Sequence, residues 1–136
     1  MKTKQILMIA LFTTFFTAHA FAQTAPKVSC WLTYNQVDAD GTTQESAQSP
    51  VFQITRDGGQ TELKGFLTQG TLRRICAADG GPCSHAYDLT VTVIHGESKS
   101  AFYAVVTADE RTRYSTSLTV GNESGFVNCN AGGAID

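Results

Sequence analysis

From residue 28 onward the apolar positions recur every second residue, the period of a β-strand and not of a helix. Val28, Cys30, Leu32 and Tyr34 alternate with Ser29, Trp31, Thr33 and Asn35. Tyr87, Leu89, Val91 and Val93 alternate with Asp88, Thr90 and Thr92, with Ile94 as the exception. Tyr114, Thr116, Leu118 and Val120 form a further half-apolar face. Residues 101–106, Ala-Phe-Tyr-Ala-Val-Val, are apolar on both faces, which predicts a central strand covered on each side.

The runs are separated by short segments rich in turn formers. Asp57-Gly58-Gly59 stands between 51–54 and 62–67, and an Asp-Gly step supplies the positive φ of a tight hairpin. Asp40-Gly41, His95-Gly96-Glu97, Asp109-Glu110 and Gly121-Asn122 read as four more reversals. Strands are expected at 28–37, 50–56, 61–67 and 71–76, then as a four-stranded meander at 87–95, 100–107, 113–120 and 125–130. The polar stretch 42–49 reads as an edge strand or a loop. No helical pattern follows residue 22. The fold class is therefore all-β, a single small antiparallel β-sandwich, with a small closed β-barrel as the alternative because both bury alternating faces.

The start of the chain is of a different kind. Lys2 and Lys4 precede an apolar run at 6–16, and two overlapping small-x-small sites, Ala18-His19-Ala20 and Ala20-Phe21-Ala22, follow it. This is the pattern of a cleaved signal peptide at 1–22, cut after Ala20 or Ala22. The run is shorter than the ~20 residues of a membrane span. Residues 23–136 then form one exported domain, periplasmic or extracellular. Lysines without an arginine pair suggest the general secretory route of a bacterium. Cys30 follows Lys27-Val28-Ser29, well beyond the apolar run, so a lipid anchor is not expected. Asn122-Glu123-Ser124 fits a glycosylation sequon, with no modification expected in that setting.

Export gives the cysteines their meaning, since an oxidising compartment favours disulfides. Four cysteines allow three pairings, of which Cys30–Cys129 with Cys76–Cys83 is preferred. The first clamps the first strand to the last. The second pins the short connection Ala-Ala-Asp-Gly-Gly-Pro. A zinc site built on Cys76, Cys83 and His85 is disfavoured, because the gap is wide for a zinc knuckle and no fourth ligand is evident. No cofactor is expected.

Charge excludes one class of partner. Losing Lys2 and Lys4 with the leader leaves eight basic against twelve acidic residues, a poor surface for nucleic acid. Arg73-Arg74, the one adjacent basic pair, reads as a solvated strand end.

Catalytic chemistry finds little support. His85 and His95 are the histidines beyond the leader, close in sequence to Asp88 and Glu97, but no Gly-x-Ser-x-Gly elbow exists. Residues three apart in a strand also point to opposite faces, which separates His85 from Asp88. Glu97, Asp109, Glu110 and Glu123 fall at predicted turns, where carboxylates face water and not a sugar bond. Residues 36–41 resemble a calcium loop weakly, but Gln36 and Ala47 stand where the EF-hand pattern needs Asp and Glu.

What remains is binding. If Cys30 and Leu32 face inward, Trp31 points outward with Thr33 and Asn35, an aromatic flanked by a hydroxyl and an amide. The expectation is a non-catalytic exported β domain that binds a protein or a cell-envelope glycan. The alternatives are a small secreted hydrolase using His85 or His95, and a structural subunit assembling through a strand edge.

Overall fold

A computed structural model describes residues 25–134. The leader expected at 1–22, with its candidate cleavage sites, and residues 23–24 and 135–136 lie outside the described residues. Nine strands follow in order: β1 (Pro26–Val37), β2 (Thr43–Gln48), β3 (Phe52–Gln53), β4 (Gly59–Leu63), β5 (Phe66–Cys76), β6 (Cys83–His95), β7 (Ser98–Thr107), β8 (Arg111–Val120) and β9 (Glu123–Ala134). No helix occurs among the described residues.

The strands form two antiparallel sheets. One has the order β2-β1-β9-β8, with β3 also paired to β1; the other has the order β4-β5-β6-β7. The sheets do not join into a barrel, because β7 pairs with β6 and β8 with β9, and no ladder links β7 to β8. A side-chain hydrogen bond, Ser100 Oγ to Thr116 Oγ1 at 2.7 Å, bridges that seam. The fold is an antiparallel β-sandwich.

Alternation builds the core as the period predicts. Val28, Cys30, Leu32 and Tyr34 of β1 face Phe66 and Leu72 of β5 and Tyr87, Leu89, Val91 and Val93 of β6, all buried, with Val127, Cys129 and Ala131 of β9 beside them. Each buried valine, leucine or phenylalanine among them contributes about 1.5–3 kcal/mol on burial. The two disulfides are Cys30–Cys129 and Cys76–Cys83, and both join residues that sit opposite each other in the strand register. Cys30 and Cys129 have Cα atoms 4.1 Å apart. Counting back from the Val120–Glu123 turn pair, Cys129 hydrogen-bonds toward β8, which leaves Cys30–Cys129 at a non-hydrogen-bonded position where side chains approach closest.

The structure departs from the sequence expectations in five places. The Asp57-Gly58 reversal exists, closed by Thr55 and Gly58 bonding each other's backbone at 3.3 and 2.9 Å. It is not a hairpin within one sheet: β3 belongs with β1 and β4 with β5, so the chain changes layers there. Ile54 is drawn into the core against the bare backbone of Gly70, which ends β3 after two residues.

The tight hairpin lies one strand later, at Lys64-Gly65. Both residues have positive φ, 52° and 81°, as a type I′ turn requires. Beyond it β5 runs unbroken through Gly70, where a gap was expected between two strands. The meander expected from residue 87 is divided: β6 and β7 lie in one sheet, and β8 and β9 in the other. Finally, β7 is an edge strand and not a central one. Val106 is buried, whereas Tyr103 is 78% and Val105 56% exposed. Within the polar stretch 42–49, which the sequence reads as an edge strand or a loop, residues 43–48 form the edge strand β2.

Candidate functional site

Because Cys30 and Leu32 fill the core, β1 turns Ser29, Trp31, Thr33 and Asn35 to the outside of the five-stranded sheet. The neighbouring strand adds Phe126, Asn128 and Asn130, since Val127 and Cys129 take the inward positions. On the far side β8 adds Arg113, Ser115 and Ser117. The register sets Trp31 opposite Asn128 and Thr33 opposite Phe126. The two aromatic residues are thus diagonal neighbours in the ladder, with Cα atoms about 7–8 Å apart by sheet geometry. Phe126 is 38% exposed and Trp31 half-buried.

Local contacts hold this face in place. The Arg113 guanidinium lies 5.9 Å from the centre of the Trp31 ring, a cation–π distance. Arg113 Nε also donates to Asn130 Oδ1 at 3.3 Å. Ser46 Oγ donates to Asn35 Oδ1 at 2.8 Å. A shallow cleft of about 420 Å³ runs between Ser115, Ser117, Phe126 and Asn128, reaching Ser100 and Thr116 at the seam. Thr33, Asn35, Asn128, Ser115 and Ser117 offer hydroxyl and amide groups, and Arg113 is the one ionised side chain in this set. Trp31, Thr33 and Asn35 therefore lie together as expected from the sequence. Phe126, Asn128 and the β8 serines were missed there, because only the β1–β9 and β8–β9 registers bring them beside β1.

The titratable residues gather elsewhere. Tyr34 Oη donates to Glu123 Oε1 at 2.6 Å, and the other carboxylate oxygen is 3.9 Å from His95 Nε2. The His95 ring packs on Phe66, with centroids 4.4 Å apart. Glu123 is thus half-buried and engaged, where the sequence placed it in water, and the carboxylate beside His95 is Glu123 and not Glu97. The Tyr34 phenol is pushed up to about 12, chiefly by its hydrogen bond to Glu123 and then by burial and the carboxylate charges of Glu123 and Glu45. His85 stands exposed on β6, one strand face away from Asp88.

In the Asp38–Thr42 turn the carboxylates serve the backbone: Asp38 Oδ1 accepts from the amides of Asp40 and Thr42, and Asp40 Oδ1 accepts from Thr42 at 2.9 Å. Hydrogen bonding with Asp38, and then with Thr42, draws Asp40 down to about 2. Among the described residues no group of three or more His, Cys, Asp or Glu side chains is placed to hold a metal ion.

The chain matches no protein-family model, no curated protein and no solved structure. Two disulfides in a fold this small indicate an oxidising, extracytoplasmic environment. No helix among the described residues is long and apolar enough to cross a membrane.

Proposed function

We propose that this protein is an exported, non-catalytic binding module that holds an uncharged stretch of a cell-envelope glycan on the outer face of its five-stranded sheet. The observation that carries this reading is the Trp31–Phe126 diagonal set among Thr33, Asn35, Asn128, Ser115 and Ser117. Sugar rings present an apolar C–H face, which stacks on an aromatic ring, and a rim of hydroxyls, which pairs with amide and hydroxyl groups. A pleated sheet holds those groups rigid before the ligand arrives, so little ordering cost is added on binding. The leader at 1–22 supports release into the periplasm or the medium of a bacterium.

Trp31 is the single tryptophan of the chain, so its fluorescence reports on this face alone. Titrating the chain that begins at Gln23 with N-acetylglucosamine oligomers should shift that emission to saturation. Phe126→Ala should weaken binding at least tenfold while leaving the disulfides and the circular-dichroism spectrum unchanged. Unchanged emission across neutral envelope oligosaccharides, or Phe126→Ala binding at full strength, would refute the assignment.

A further inference from the structure

The sandwich is left open along one stretch of its side. β4 pairs with β5 only as far as Gly59 and Gly70, so from Thr71 to Cys76 β5 has no strand on that flank. In the other sheet β3 ends at Gln53, and the chain crosses to the second layer through Ile54 and the Thr55–Gly58 turn. A cavity of about 510 Å³ lies at this gap, between the start of β1, the crossover and Leu72 of β5. Its volume is within the ~300–1,000 Å³ of small-molecule sites.

The lining is divided by chemistry. Pro26, Val28, Ile54 and Leu72 belong to the buried interior and form its apolar floor. Lys27 and Arg56 stand exposed at its rim. No carboxylate lines the cavity, and neither cation forms an ion pair among the described residues. Asp57, the neighbour of Arg56 in the turn, is outside the lining. In a chain that has eight basic against twelve acidic residues beyond the leader, two unmatched cations over an apolar floor mark a place for a negative charge.

We infer that this cavity binds a free fatty acid, with the alkyl chain against Val28, Ile54 and Leu72 and the carboxylate at Lys27 and Arg56. Each half of the ligand answers one half of the site. The chain removes water from apolar surface, which favours binding in proportion to the methylenes buried. The carboxylate pairs with a guanidinium fork and an ammonium, and the planar fork suits a planar acid. A neutral lipid leaves both cations unmatched, and a cationic one is repelled. The inference is independent of glycan binding, since the cavity opens between the sheets and Trp31 lies on the outer face of one of them.

Titration calorimetry of the chain from Gln23 should show one decanoate bound per chain. Decanoate should bind at least tenfold tighter than octanoate, since each buried methylene is worth about fourfold. Decyltrimethylammonium, with the same tail and the opposite head charge, should bind at least tenfold more weakly than decanoate. Lys27→Glu with Arg56→Glu should reverse that order and leave the circular-dichroism spectrum unchanged. Ala25→Trp, which fills the mouth, should abolish binding of both. Equal binding of the two head groups, an order that survives the charge exchange, or full binding to the Ala25→Trp variant would overturn the proposal. So would no binding to the chain from Gln23, or binding gained only when residues 23–24 are trimmed away, which would give the cavity to the chain's own start.

Discussion

Tyr34 on the first strand donates its phenolic hydrogen to Glu123 on the last, at 2.6 Å, although 89 residues separate them in the chain. This contact ties ionisation to folding. The neutral phenol is the form favoured by the fold, so its contribution is present in full below the ordinary value near 10 and is lost as the pH rises through about 12. Absorbance at 295 nm should therefore show one phenolate forming only near pH 12. Glu123→Gln should move that step downward, and a titration without a late step would contradict the contact.

The disulfides should differ in their effect on stability. Cys30–Cys129 closes 99 residues and Cys76–Cys83 closes seven. In the chain-entropy model these constrain the unfolded state by about 4.7 and about 2.5 kcal/mol. With a melting shift of about 4 °C per kcal/mol at this size, Cys30→Ala with Cys129→Ala should lower the midpoint by on the order of 20 °C. Cys76→Ala with Cys83→Ala should lower it by about 10 °C. Calorimetry of the two double variants decides the order.

Thr68 is fully buried, and its hydroxyl has no hydrogen-bond partner. A buried polar group left unpaired costs free energy that an isosteric apolar side chain does not. Thr68→Val should raise stability by about 1 kcal/mol, read as a higher urea midpoint with the same slope.

Gly125 lets the two sheets close. A Cβ there would sit 2.5 Å from Cδ1 of Phe66, a ring that is wholly buried and cannot swing away. Gly125→Ala should cost about 1–3 kcal/mol by overpacking. Adding Phe66→Leu to it should cost less than the sum of the two single changes, a coupling a double-mutant cycle can measure.

Much of this fold is legible in residue types because alternation is a local property. The faces of β1 and β6 follow from spacing alone, and with them the outward placement of Trp31, Thr33 and Asn35. The preferred disulfide pairing is also the one found, although spacing alone leaves three pairings open. Layer changes do not follow from spacing. Nothing in 108–110 says that β8 leaves the sheet of β7, and Asp57-Gly58 has the same turn chemistry whether the chain doubles back or crosses over. The Lys64-Gly65 hairpin escapes notice because lysine rarely takes positive φ. Phe126 and Asn128 join the candidate site only through a register between strands nearly a hundred residues apart, a relationship no window of sequence contains.

The Cys30–Cys129 bond also sets an order of events. A chain made from its N-terminus presents Cys30 long before Cys129, while Cys76 and Cys83 arrive almost together and have each other within reach. The short loop can therefore be sealed first, which removes both wrong partners from the pool. Cys30 then has Cys129 as its remaining partner, so its oxidation must follow the arrival of β9 beside β1.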